Sequence, residues 1–178
     1  MRALVVVMLL AHSVIADPAC DRFMPMPNDR SPLAFSNALS FISCNKDVAV
    51  PRIAKLDDID PAIDALVDSF TPTIALYMQL MRIAPDAMQI QIAFAVGLTY
   101  EDLIVRARAA VVDPMDTILR DALAARLDAY IAAAMEIFDA IDRVTTADPT
   151  MCLTTQDHEL VQRARRLREE LSTSRIPR

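Results

Sequence analysis

The sequence predicts an all-α protein, a single-domain helical bundle of about six or seven helices around one long helix at about 114–145, preceded by a signal peptide. Three observations favour this fold class. The 178 residues include one glycine, 54% of them are hydrophobic, and prolines repeatedly follow residues that cap helix N-termini. One glycine is too few for tight hairpins and phosphate-binding loops, which need positive φ angles. A chain of this length can bury about 70% of its unfolded surface, so a compact core is expected.

The first segment, 1–16, has the pattern of a secretory signal peptide. Arg2 supplies a positive charge, a short apolar run follows, and small residues precede the expected cleavage between Ala16 and Asp17. The apolar run is much shorter than the ~20 residues that a membrane-spanning helix needs. We therefore expect an exported protein, periplasmic or secreted, whose mature chain begins with an irregular proline-rich arm at 17–30.

Proline and capping residues predict where the helices begin. The four pairs of a capping residue and a proline are Ser31-Pro32, Asp60-Pro61, Thr71-Pro72 and Asp113-Pro114. Thr99 and Thr154 each precede an aspartate by three residues, as in a capping box, and Gly97 suits the position just after a helix end. These signals predict a helical domain at 31–172 followed by a disordered tail at 173–178. The predicted helices span 32–45, 60–70, 72–83, 86–96, 99–112, 114–145 and 155–172.

Apolar periodicity refines two of these elements. One apolar stripe with helical spacing continues from Ile59 to Met81 across Pro72, so the second and third helices are alternatively one kinked helix. The 114–145 helix has the longest stripe, and at 1.5 Å per residue it would be roughly 45 Å long. Its predicted core positions are Met115, Leu119, Leu123, Leu127, Ile131, Met135, Phe138 and Ile141, backed by others that include Ile118.

Charge is distributed unevenly along a chain whose net charge is −6. Between Asp57 and Asp148 there are sixteen acidic and six basic residues, whereas Glu159 to Arg178 contains six arginines and three glutamates. The C-terminal segment also carries an apolar stripe, so we expect it to dock by that stripe and to lay arginines along an acidic surface, its own or a partner's. Nucleic-acid binding is not expected, because the basic segment is short and the rest of the chain would repel phosphates.

Three cysteines, at positions 20, 44 and 152, remain in the mature chain. In an oxidising compartment they are expected to form one disulfide and to leave one thiol, and all three pairings are open. A Cys44–Cys152 bridge is favoured, because both residues lie beside predicted helix boundaries. Cys20 lies in the N-terminal arm and would be left as an unpaired or intermolecular thiol.

Catalytic and metal-binding patterns are sparse. His158 is the one histidine after signal removal, and its neighbours Asp157 and Glu159 point away from it on a helix, so we expect a solvated side chain. Ser43 and Lys46 have the Ser-x-x-Lys spacing, but the Lys-Thr-Gly and Ser-Asp-Asn elements that accompany it in penicillin-binding enzymes are missing.

Carboxylates and thioethers recur at helical spacing in three places. For the two groups of acidic residues we expect solvated helix faces and not cation sites. For the methionine pair we expect a place in the core and not a copper site. These groups are Asp60, Asp64 and Asp68; Glu136, Asp139 and Asp142; and Met78 with Met81.

The sequence therefore predicts a non-catalytic exported protein, without a cofactor, that has a structural or protein-interaction role. Its expected partner is another exported protein. The first alternative is a carrier of a small apolar ligand between helices. Further alternatives are a periplasmic chaperone-like protein and a copper-binding protein.

Overall fold

A computed structural model describes residues 37, 40, 50–84, 86–147 and 154–173. It confirms the all-α class. The four helices of 50–173 are α1 (Ile59–Ile83), α2 (Asp86–Ala109), α3 (Thr117–Ala147) and α4 (Thr155–Thr173), with one 3-10 turn at Leu56–Asp58 before α1. Of the predicted helix 32–45, only Asn37 and Ser40 are described, and both are helical.

Two predicted helix breaks do not occur, so the helices are fewer and longer than the sequence suggested. Pro72 lies inside α1, which agrees with the alternative of one continuous helix. Gly97 lies inside α2, so its prediction as a helix end is wrong. Thr99 does not cap a helix either, because its buried hydroxyl donates a hydrogen bond of 2.9 Å to the Ala95 carbonyl.

Gly97 is needed for close helix packing. A Cβ atom at this position would lie 2.4 Å from Cε1 and 2.8 Å from Cζ of Phe138 on α3. These distances are far inside van der Waals contact, so only a residue without a side chain lets α2 and α3 approach this closely. The glycine thus serves packing within a helix.

The bundle is organised around α2, although α3 is the longest helix. No side chain of α2 between Met88 and Ile104 is exposed, so this part of the helix is covered on all sides. α3 buries one stripe and exposes the opposite side. α2 packs against α1, α3 and α4, and α3, the helix predicted to be central, packs against α2 and α4.

Contacts between the helices define an up-down-up-down topology. The rings of Phe94 and Phe138 lie 5.9 Å apart between the first half of α2 and the second half of α3, while the end of α2 and the start of α3 line one hollow. α4 runs antiparallel to α3, because Arg165 and Arg168 pair with Asp142 and Asp139 in reverse order. α1 packs along α2 and runs antiparallel to it.

The start of α3 differs from the prediction. The helix begins at Thr117, where the Asp116 carboxylate accepts a hydrogen bond of 2.9 Å from the Leu119 N–H. Two residues predicted for the apolar stripe lie outside the core: Met115, which precedes α3, is 81% exposed, and Ile118, in the first turn of α3, is 70% exposed.

The start of α4 is the predicted capping box. The Thr154 N–H donates to an Asp157 carboxylate oxygen at 2.9 Å, and the Asp157 N–H donates to the Thr154 hydroxyl at 3.2 Å. Asp157 is buried, and its second oxygen accepts a hydrogen bond of 3.4 Å from Gln91 on α2. The cap thereby joins the start of α4 to the start of α2.

At the other end of the bundle, the chain enters beside the end of α2. Ile53 is fully buried; its N–H donates to the Ala110 carbonyl at 2.9 Å, and its carbonyl accepts from the Val112 N–H at 3.0 Å. No helix in the described ranges is long and apolar enough to cross a membrane.

Several predictions fall on residues outside the described ranges. They concern the signal peptide with its cleavage between Ala16 and Asp17, the arm at 17–30, and the cysteines Cys20, Cys44 and Cys152. Of the predicted tail, Thr173 is the last residue of α4, and 174–178 lie outside.

Candidate interaction surfaces

An apolar groove of about 280 Å³ lies where α1, α2 and α3 meet. Phe70 and Leu103 are buried within it, whereas Ile74 and Tyr130 are half-buried and face its opening. The lining residues are Val67, Phe70, Thr71, Ile74, Ala75, Tyr100, Leu103 and Tyr130. The groove can bury carbon-rich surface, and two phenols and a hydroxyl are its polar groups.

Carboxylates follow the α1 side of this groove. The Arg126 guanidinium on α3 donates to Asp60 at 2.7 Å and lies 3.6 Å from an Asp64 oxygen. The hydrogen bond with Asp60 raises the pKa of Arg126. Two of the three carboxylates predicted to lie along this helix face, Asp60 and Asp64, are thus paired with an arginine. No cluster of three or more candidate metal ligands occurs in the described ranges.

A second surface lies at the end of the bundle, around the α2–α3 connection. Val112, Met115 and Ile118 are 48%, 81% and 70% exposed. They adjoin a wide hollow of about 630 Å³. Residues lining the hollow are Arg108, Val111, Pro114, Arg120, Asp121, Leu123, Ala124 and Thr173. Partial burial lowers the pKa of Arg108. Exposed apolar side chains beside a partly polar hollow are typical of a protein-binding surface.

α4 docks as the sequence predicted, by an apolar stripe with arginines beside it. The Arg165 Nε donates to Asp142 at 2.7 Å, and an Arg168 Nη donates to Asp139 at 2.8 Å. The Arg163 guanidinium lies 5.6 Å from the centre of the Phe94 ring. Buried stripe residues are Val161, Ala164, Leu167 and Leu171. The acidic face of α3 that was expected to be solvated is therefore partly an interface with α4.

His158 is exposed, as predicted. Its Nδ1 lies 3.0 Å from the Thr154 carbonyl oxygen. The adjacent Asp157 carboxylate is occupied by the capping hydrogen bonds and by Gln91. These residues therefore form the start of a helix and do not form an acid–base pair.

Two buried polar residues, Tyr77 and Thr99, lie between α1 and α2. Burial raises the pKa of Tyr77 to about 12, although the hydrogen bond with Thr99 acts in the opposite direction.

Met81 packs against the cluster that contains Tyr77, whereas Met78 is 49% exposed. The prediction that both methionines belong to the core is therefore wrong for Met78.

Comparisons of this chain with protein-family models, curated proteins and solved structures find no match. Any functional conclusion therefore depends on the surfaces described above.

Proposed function

We propose that this chain is an exported, non-catalytic interaction protein that docks another exported protein through the end of the bundle. The observation that carries the proposal is the exposure of Met115 and Ile118 next to the α2–α3 connection. Export is supported by the signal-like pattern at 1–16.

Burial of apolar surface supplies the driving force for such docking. Each square ångström of apolar surface removed from water contributes about 25 cal/mol. The backbone of Met115 is held in a turn, because its N–H donates to the Asp113 carboxylate at 2.9 Å. Holding an anchor residue in place before binding reduces the entropy lost on association.

Affinity purification from the native host tests this function. The variant Met115→Ser with Ile118→Ser is expected to lose a partner that the wild-type protein retains, because the apolar anchors are gone. Val144→Ser is the matched control, since Val144 is also exposed on α3 but lies at the far end of that helix. Retention of the same partners by all three proteins would refute a role for this surface.

A carrier of a small apolar ligand is the second candidate function, because the groove between α1, α2 and α3 is mostly apolar. Native mass spectrometry of protein purified gently from its host distinguishes the two functions. A bound small molecule in a fixed ratio supports the carrier, and its loss in an Ile74→Glu variant would locate it in the groove. A co-purifying protein without such a mass supports the interaction role.

A further inference from the structure

We infer that the groove between α1 and α3 is a docking site for a basic amphipathic helix of a partner protein. This surface is separate from the 112–118 end of the bundle, so the inference does not depend on that proposed interface. It rests on the way in which the molecule already holds one of its own helices, and on the charges beside the groove.

α4 shows how this bundle holds a helix. Its apolar stripe is buried against α2 and α3, and Arg165 and Arg168 pair with the carboxylates of Asp142 and Asp139. Two elements of this docking are an apolar surface beside the α2–α3 pair and acidic side chains along its edge.

The other side of α3 presents the same two elements. Tyr130 lines the groove and Asp139 pairs with α4. These two positions are nine residues apart, or two and a half turns, so their side chains leave α3 on opposite sides. Among the described helices, α4 contributes no residue to the groove.

The groove has the dimensions that a helix face requires. One apolar row about two turns long runs along α1, because its residues follow each other at spacings of three and four. These residues are Val67, then Phe70 or Thr71, and then Ile74. Tyr130 and the floor residue Leu103 complete the surface. Two or three apolar side chains on successive turns of a partner helix could fill it.

Charge determines which helix fits. Asp60, Asp64 and Asp68 are exposed along α1. Between Lys55 and Arg82 the chain contains no basic residue, and Arg126 offsets part of the charge of Asp60 and Asp64. Arg106 of α2, which lies 5.8 Å from the centre of the Phe70 ring, is paired with Asp102. A helix with lysines or arginines beside its apolar stripe therefore complements the groove, whereas the chain's own segment 31–45 has no charged residue.

The test uses the full mature chain and a synthetic peptide of about 18 residues in which leucines form one helical face and lysines the remainder. Binding is measured by titration calorimetry at about 0.05 M and about 0.3 M NaCl. The same peptide with glutamate in place of lysine is the matched probe. We expect the lysine peptide to bind and the glutamate peptide to bind at least about tenfold more weakly.

Two variants locate the binding. Ile74→Glu places a charge on the half-buried groove wall and should weaken binding of the lysine peptide at least about tenfold, even though the added negative charge would strengthen non-specific attraction. Val105→Glu makes the same charge change at an exposed position of α2 that does not line the groove and should leave binding unchanged. Asp64→Asn with Asp68→Asn changes exposed residues of α1 only and should weaken both binding and its salt dependence.

Three results would overturn the inference. The first is equal binding by wild type and by the Asp64→Asn, Asp68→Asn variant, which changes exposed side chains only and so tests the charge even if Ile74→Glu does not fold. The second is equal binding of both peptides, which would indicate a groove for apolar ligands. The third is loss of binding in the Met115→Ser, Ile118→Ser variant with no effect of Ile74→Glu, which would place the peptide on the end of the bundle.

Discussion

Gly97 shows at the scale of one residue how packing can prevail over helix propensity. In an exposed helix, Gly→Ala would stabilise the protein by about 1 kcal/mol. Here the new Cβ would lie 2.4 Å from the Phe138 ring, and overpacking of a core typically costs about 1–3 kcal/mol. We therefore expect Gly97→Ala to lower the free energy of unfolding by about 1–2 kcal/mol in urea denaturation.

Phe138→Leu provides the control for this prediction, because it removes the ring atoms that the new methyl group would meet. In that background, Gly97→Ala should be neutral or slightly stabilising, so the two substitutions should be strongly non-additive. Additive effects of the two substitutions would show that Gly97 is not needed for the contact with Phe138.

Tyr77 makes stability depend on pH in the alkaline range. Its pKa is about 12 in the folded protein and 10.0 for an unperturbed tyrosine, so the folded state favours the protonated phenol. Below about pH 10 this contribution is fully present, and it is lost as the pH rises towards 12 because the unfolded chain ionises first. Relative to Tyr77→Phe, the wild-type protein should lose about 1 kcal/mol by about pH 11, measured by urea denaturation at pH 8 and 11. An equal loss in both proteins would contradict the prediction.

At the scale of helices, local signals were sufficient for α4 but not for α2. The capping box at Thr154 and Asp157 and the stripe of α4 were readable from sequence, because their interactions lie within a few residues and one face of the helix is polar. The apolar residues of α2 are spread around the helix, so periodicity could not identify its inward face, and Gly97 and Thr99 resembled a helix end and a new start. Their true roles are defined by Phe138 on α3 and by Tyr77 on α1.

The stripe of α4 should contribute more to stability than its ion pairs. The arginines at 165 and 168 are each 40% exposed, so the variant that replaces both with alanine should lose less than about 1 kcal/mol per pair. Leu167 is buried, and Leu167→Ala should lower the free energy of unfolding by about 2–4 kcal/mol. Urea denaturation at low and high salt separates the two, because only the arginine effect should vanish in about 1 M NaCl. A larger loss from the arginines than from Leu167 would reverse this ranking.

At the scale of the whole molecule, neither candidate surface could be located from the sequence. The groove takes its walls from three helices, so Val67, Leu103 and Tyr130 become neighbours only in the assembled bundle. The exposed end also differs from the prediction: the stripe that includes Met115 and Ile118 predicts buried residues, but Met115 precedes α3, and Ile118 in its first turn is exposed. Charge was more informative, because the acidic middle of the chain and its arginine-rich end predicted the ion-paired interface between α3 and α4.

The fold also constrains the favoured disulfide, Cys44–Cys152. Ile53 is held at the end of α2 by Ala110, whereas Asp157 is held near its start by Gln91. α2 advances about 28 Å between these points. The nine residues from Ile53 back to Cys44 can span about 30 Å when extended, so the bridge is within reach if this segment runs along the bundle.

Peptide mapping of the exported protein under non-reducing conditions tests this pairing. We expect a chain that begins at Asp17, a Cys44–Cys152 linkage, and Cys20 as a free or intermolecular thiol. Because the bridge would close a loop of more than 100 residues, reducing it should lower the free energy of unfolding by about 3–4 kcal/mol. The same loss should appear in Cys152→Ser but not in Cys20→Ser. A linkage of Cys20 to either other cysteine would contradict the prediction, and it would place the N-terminal arm beside the residue to which it is bonded.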